Sequence, residues 1–84
     1  MRVSVISAER SVFEGEADSV VVPTYDGLVG ILPRHAPFIT LLGKGIAKIS
    51  GSGGVTRLQV AGGVLQVARD VVRIVAGSAT PAPS

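Results

Sequence analysis

The loop within residues 25 to 37 holds the side chains of this protein that are best suited to chemistry or binding. It contains the only histidine, His35, next to a cation, Arg34, and both lie between Pro33 and Pro37. Proline fixes φ and removes a backbone donor, so the two prolines stiffen the loop that displays the imidazole and the guanidinium. A lone histidine in such a loop is typical either of local hydrogen bonding or of a binding surface.

Catalytic chemistry is poorly supported in the rest of the chain. One histidine, no cysteine and six acidic residues do not easily form a catalytic triad or a metal site. Gly43 and Lys44 resemble the end of a phosphate-binding loop, but Gly45 follows where serine or threonine is required. We therefore expect a domain that is not an enzyme and that binds no cofactor and no metal.

Composition sets further bounds on the function. The chain has 84 residues, is 46% hydrophobic with a mean hydropathy of +0.52, and carries a net charge of +2. This length allows one domain, and no apolar run approaches the ~18 residues that span a bilayer. A small basic β-domain can bind nucleic acid, but only Phe13, Tyr25 and Phe38 could stack on bases. We expect no nucleic-acid partner.

Turn signals separate short β-branched segments along the whole chain, whereas no dozen-residue window has helical apolar spacing. Strands are predicted at residues 3–6, 17–22, 28–32, 38–42, 45–49, 56–60, 64–68 and 71–76. Pro23 is expected to end the second strand, and Gly62 with Gly63 to separate two others. The pattern predicts an all-β, antiparallel two-sheet sandwich or flattened barrel over residues 1–77, followed by a flexible tail at residues 78–84.

Three motifs carry a resemblance to a known family. Residues 25 to 37 hold a glycine-rich turn and the Pro-x-His-Ala-Pro loop, residues 5 to 15 an opening strand and turn, and residues 58 to 67 a glycine pair. Their order and spacing resemble the epsilon subunit of F-type ATP synthases, called delta in mitochondria. The resemblance implies a β-sandwich of about ten short strands. Family members often continue into a C-terminal hairpin of two helices, which we do not expect in this chain.

The resemblance also implies a function, that of a non-catalytic subunit in the central-stalk rotor. Such a subunit binds the gamma subunit and the membrane c-ring, and couples ion-driven rotation to ATP synthesis. It would be a peripheral protein at the cytoplasmic face of the bacterial cell membrane, without direct insertion into lipid. The gamma contacts carried over are Ser7, Arg34, His35, Ala36 and Ile39. The c-ring contacts carried over are Asp26, Gly27, Leu28 and Val29.

Leu28 departs from the family pattern, since many members have a charged or polar residue there. An apolar side chain favours van der Waals or backbone contact with the ring over a charge-based one. An alternative function, from a different class, is a free-standing adaptor that binds a peptide or protein at a sheet edge. Genomic neighbourhood distinguishes the two, because a synthase subunit is expected to be encoded beside the others.

Overall fold

A computed structural model of the protein describes residues 1–8, 10–34 and 36–82. These residues form eight β-strands, and no helix is present among them. The strands are β1 (Arg2–Ser7), β2 (Arg10–Glu16), β3 (Ser19–Thr24), β4 (Gly27–Ile31), β5 (Phe38–Leu41), β6 (Lys44–Gly51), β7 (Gly54–Ala68) and β8 (Val71–Pro81). The all-β prediction is confirmed.

The strands form two sheets that share the long hairpin of β7 and β8. In sheet I the order is β2-β1-β8-β7-β5, using residues 71–76 of β8 and residues 63–68 of β7. In sheet II the order is β8-β7-β6-β3-β4, using residues 78–81 of β8 and residues 54–61 of β7. Counted by sheet, the eight strands give ten segments, which accounts for the expected number of about ten.

The shared hairpin passes from one sheet to the other at a glycine bend. Gly62 and Gly63 have φ values of 68° and 110°, a region that residues with a Cβ rarely adopt. A Cβ at Gly63 would overlap the carbonyl oxygen of Val75 on β8. The prediction that the glycine pair separates two strands is therefore wrong, since it kinks one continuous strand.

Three further elements differ from the sequence-based expectation. The strand β2 was not predicted, and Pro23 lies inside β3 instead of ending it. Pro23 pairs with Leu28 of β4, whereas the pairing of β3 with β6 ends at Val21. The backbone N–H that proline lacks is therefore not needed for hydrogen bonding to β6. One pairing, β1 with β8, is parallel, whereas the other pairings of the described strands are antiparallel.

The last strand is also longer than predicted. It was expected to end at residue 76, but residues 78–81 continue it and pair with residues 58–61 of β7. The Ala82 N–H then donates to the Arg57 carbonyl oxygen at 3.0 Å. Residues 78–81 therefore belong to the sheet and not to a tail, because they pair with β7 and Ala79 packs against the core. Pro83 and Ser84 lie outside the described residues.

The core lies between the two sheets and is built by alternation along most strands. Val3 and Val5 of β1, Val72 and Ile74 of β8 and Leu65 of β7 are almost fully buried. Seven buried residues of sheet II face them, namely Val20, Val22, Ile31, Ala47, Ile49, Leu58 and Val60. Because the inner positions are apolar and β-branched, the period of two fixes which side chains remain on the outer faces. The outer face of sheet I carries Ile39, whereas the ring-contact candidates lie at the β3–β4 turn and Ser7 is buried.

Candidate functional site

The turn between β3 and β4 is held in a fixed shape by one side chain. The Asp26 N–H donates to the Thr24 hydroxyl oxygen at 3.2 Å, and that hydroxyl donates to the Gly27 carbonyl oxygen at 2.7 Å. Tyr25 and Asp26 form the tip, and Gly27, with φ of 118°, begins β4 opposite Thr24. The four predicted ring-contact residues, 26 to 29, therefore follow each other through this tip.

Leu28 is the most exposed apolar residue in this turn. Its side chain is 72% exposed and that of Tyr25 is 71% exposed, while Val29 is half-buried. Exposed large apolar side chains at a rigid tip are the arrangement expected where another surface covers them. Asp26 adds one carboxylate to the tip, and its backbone N–H is already used inside the turn.

Ile39 lies beside this turn, across the open edge between the two sheets. It is 67% exposed on β5, the outermost strand of sheet I, and pairs with Gln66. A groove of about 380 Å³ separates β5 from β4 and is lined by Asp26, Leu28, Val29 and Ile39 among others. The structure thus brings a predicted gamma contact next to three predicted ring contacts.

The proline loop between β4 and β5 is anchored to the hairpin turn of β7 and β8. The Arg34 N–H donates to the Asp70 carboxylate at 3.0 Å. Asp70 and Arg69 have φ values of 62° and 51°, as expected for a two-residue turn in which both central residues are left-handed. Arg34 also has a positive φ of 65° and is exposed, as is Ala36. His35, predicted as a gamma contact, lies outside the described residues.

Asp70 connects this loop to the start of the chain as well. Its second carboxylate oxygen lies 3.8 Å from the Met1 ammonium, and its carbonyl oxygen accepts the Arg2 N–H at 3.0 Å. The Met1 ammonium donates to the Ala17 carbonyl oxygen at 3.1 Å and lies 3.4 Å from the Glu16 carboxylate, while the Met1 side chain is 1% exposed. The backbone conformation of the proline loop therefore depends on a residue that the sequence analysis did not single out.

Ser7 lies apart from the other predicted gamma contacts. It is 8% exposed at the far end of β1, where it pairs with Ala76. Arg2, at the Asp70 end of the same strand, is five positions earlier, which corresponds to about 17 Å. Ser7 instead lines a groove of about 580 Å³ between β2 and the end of β8. The structure does not bring Ser7 and the backbone of Arg34 together.

The outer face of sheet I carries an apolar patch that sequence reasoning missed. Across the sheet, Leu41 pairs with Val64, Val64 with Val75, and Val75 with Ile6. Leu41, Val64 and Val75 are 59%, 37% and 44% exposed, and Ile6 is half-buried. Ile39 lies on the same face, two positions before Leu41. We call these five residues the apolar face.

A polar margin borders the apolar face in the next row of the sheet. Gln66, Arg73, Ser4 and Glu14 follow one another across the paired strands, beginning beside Ile39. Glu14 lies 3.7 Å from the guanidinium of Arg2 on the same face. Alternation along β7 and β8 could have indicated that Val64 and Val75 point outward. Only the register shows that they join Leu41 and Ile6.

Over residues 1–8, 10–34 and 36–82, no three His, Cys, Asp or Glu side chains are grouped so that they could hold a metal ion. In the same part of the chain, no helix is long and apolar enough to cross a membrane.

The fold and its surfaces define a small β-sandwich domain with an exposed apolar sheet face and a rigid apolar turn. The chain belongs to the family described as ATP synthase, Delta/Epsilon chain, beta-sandwich domain, whose family model matches residues 1–82. The recognition made from the three sequence motifs is confirmed.

Curated relatives agree with this family. An ATP synthase epsilon chain of Leptospira borgpetersenii is 42% identical over 74 residues, covering 88% of this chain and 58% of the relative. ATP synthase epsilon chain 2 of Burkholderia orbicola is 40% identical over 85 residues, covering 99% and 56%. The ATP synthase epsilon chain of Acidithiobacillus ferridurans is 46% identical over 77 residues, covering 92% of this chain and 55% of the relative. The chain thus spans little more than half the length of these relatives.

Solved structures share the fold. A chain in the cryo-EM structure of Euglena gracilis mitochondrial ATP synthase, OSCP/F1/c-ring, matches with a TM-score of 0.86 and 23% identity over 94% of this chain and 51% of that one. A chain of the Tetrahymena thermophila mitochondrial ATP synthase central stalk and c-ring matches with a TM-score of 0.78 and 16% identity, covering 95% and 65%. The predicted β-sandwich is confirmed.

Proposed function

We propose that this domain is a non-catalytic part of the central-stalk rotor of an F-type ATP synthase. The observation that carries the proposal is the family match over residues 1–82, together with relatives of 40% identity or more that are named ATP synthase epsilon chain. In this role the domain binds the gamma subunit and the c-ring and transmits rotation between them. It is a peripheral protein at the cytoplasmic face of the bacterial cell membrane, held there through the complex.

The apolar face is the surface that best suits the gamma subunit. A stable protein interface needs a central apolar region, a polar margin and roughly 1,200–2,000 Å² of total buried surface. The apolar face supplies the exposed apolar side chains of Ile39, Leu41, Val64 and Val75 on one sheet. The polar margin that contains Arg73 borders them. Arg34 and Ala36 extend this surface from the anchored proline loop, whereas Ser7 would contact gamma only at the opposite end of β1.

The β3–β4 turn is the surface that best suits the polar loops of the c-ring. Its shape is set before binding by the Thr24 hydroxyl, so little conformational entropy is lost on contact. Leu28 supplies a van der Waals contact at the tip, and Asp26 supplies one charge. Ile39 and Leu28 line the same groove, which supports a gamma surface that borders the ring surface.

Disulfide cross-linking in the assembled synthase tests both contacts, and the chain offers a clean background because it has no cysteine. Val75→Cys is expected to cross-link with cysteines introduced in gamma, and Leu28→Cys with cysteines in the polar loop of the c subunit. Gln59→Cys, exposed on the outer face of sheet II, is the matched control and is expected to give neither product. Cross-linking of Leu28→Cys only to the catalytic subunits would show that the orientation is inverted.

A further inference from the structure

The outer face of sheet II carries charge of one sign only. Its cations are Lys44 and Lys48 on β6 and Arg57 on β7, and the alternation with buried Ala47, Ile49 and Leu58 directs all three outward. None of the strand segments in this sheet contains an aspartate or a glutamate. We call Lys44, Lys48 and Arg57, with the exposed Ile46 and Val55 between and beside them, the basic face.

Two of these cations oppose each other directly. Lys48 and Arg57 are Cα partners in the antiparallel pair of β6 and β7, and the outward neighbours of the same row are Val21 and Ala82. Like charges at directly opposite positions destabilise a sheet. Where a sequence breaks a local rule of this kind without a compensating contact, the position is often functional.

No acidic group in the described part of the chain compensates this pair. The ion pairs found there join the Met1 ammonium to Glu16 and Asp70, and Arg2 to Glu14, all away from the basic face. Asp18 and Asp26 lie in the connections at the two ends of β3. In the sequence, five of the six acids precede residue 27 and six of the eight bases follow it; three of those six bases lie on the basic face.

We propose that the basic face docks a carboxylate-rich segment of another protein, at a surface distinct from the apolar face and the β3–β4 turn. Carboxylates would relieve the repulsion between Lys48 and Arg57 and form charge-assisted hydrogen bonds with both. Ile46 and Val55 would contact the methylene groups of the acidic side chains and the apolar residues next to them in such a segment. The inference does not depend on the proposed rotor function.

Other anionic partners fit this face less well. Polybasic segments that hold anionic membranes usually contain four to eight clustered cations, and this face has three. Single-stranded nucleic acid is bound by stacking on aromatic side chains. Phe13, Tyr25 and Phe38, the only aromatic residues, lie on β2, in the β3–β4 turn and on β5.

Titration of the full chain with a hexaglutamate peptide, followed by NMR at low salt, tests the proposal. Amide shifts are expected to concentrate at residues 44–48 and 55–59, and the affinity should fall as sodium chloride is raised. Lys48→Glu should weaken binding about tenfold, because an attraction is replaced by a repulsion. Arg73→Glu is the matched control, since it makes the same change in net charge on the outer face of sheet I; compared at about 0.15 M salt, where charges act over about 8 Å, it should leave binding within about twofold.

Thermal unfolding of the same variants gives a second, independent readout. Lys48→Glu converts the opposed cation pair into an opposite-charge pair and should raise the midpoint by about 2 to 6 °C, whereas Arg73→Glu should not raise it. An equal loss of peptide affinity in both variants would mean that only net charge matters, and would overturn the proposal. Tighter binding of phosphatidylserine vesicles or of an RNA oligonucleotide than of the peptide would overturn the choice of an acidic protein.

Discussion

Replacing Ile39 by aspartate tests the gamma contact at a position where folding and binding can be separated. Ile39 is 67% exposed on the outermost strand of sheet I, so its side chain contributes little to the core. Loss of a β-branched residue in a strand costs up to about 1 kcal/mol of folding free energy. The domain is therefore expected to remain folded, with a circular dichroism spectrum like that of the parent.

The effect on gamma binding should be much larger. Full burial of an isoleucine side chain contributes about 1.5–3 kcal/mol, so covering the exposed two-thirds contributes about 1–2 kcal/mol. The aspartate would also have to lose water beside Leu41 without a cationic partner, which costs a further few kcal/mol. The sum is at least about 3 kcal/mol, which corresponds to a more than hundredfold rise in Kd.

Isothermal titration calorimetry against purified gamma measures this change directly. Ile46→Asp is the matched control, because it makes the same substitution at an exposed position, 41% exposed, on the outer face of sheet II. We expect the control to bind gamma within about threefold of the parent, since it lies outside the proposed interface. Unchanged affinity of Ile39→Asp would refute the assignment. Unfolding of Ile39→Asp would instead show that the side chain supports the core.

Two further substitutions test how the structure positions these surfaces. Gly63→Ala should destabilise the domain by about 2 kcal/mol or more in urea unfolding, because the new Cβ meets the Val75 carbonyl at a positive φ, whereas Gly53→Ala, with open space around it, should be nearly neutral. Asp70→Ala should lower the free energy of unfolding by about 1–2 kcal/mol and speed hydrogen exchange at the Arg34 amide about tenfold, because that N–H loses its acceptor. Asp70→Asn keeps an acceptor oxygen and should lower the free energy of unfolding less. Equal exchange rates in the two variants would argue against this hydrogen bond as the anchor of the loop.

Sequence reasoning predicted the class of fold because alternation survives in nearly every strand. Alternation within residues 71–76 puts Val72 and Ile74 on one face and Arg73 on the other, and the structure has them so. The same reasoning failed at Gly62 and Gly63, because a glycine pair is equally compatible with a turn between two strands and with a kink inside one. Which of the two occurs depends on a distant segment, residues 76–78, that pairs across the bend.

The candidate site was predictable only where its signal is local. The Asp26–Gly27 turn could be predicted from adjacent residues, whereas the Thr24 hydroxyl that shapes it carries no separate pattern. The apolar face could not be derived, since Ile6 and Val75 are far apart in the chain and meet only through the parallel pairing of β1 with β8. Likewise, nothing local to Asp70 indicates that its carboxylate holds the loop of Arg34.

The shared hairpin explains how so small a domain can present two separate outer faces. Because β7 and β8 bend at Gly62 and Gly63 and serve both sheets, the apolar face and the basic face are outer faces of one continuous backbone. A load applied at Val75 on sheet I can reach sheet II through main-chain hydrogen bonds within the same two strands. The substitution Gly63→Ala should therefore weaken partners on both faces together, while Ile39→Asp should affect only one.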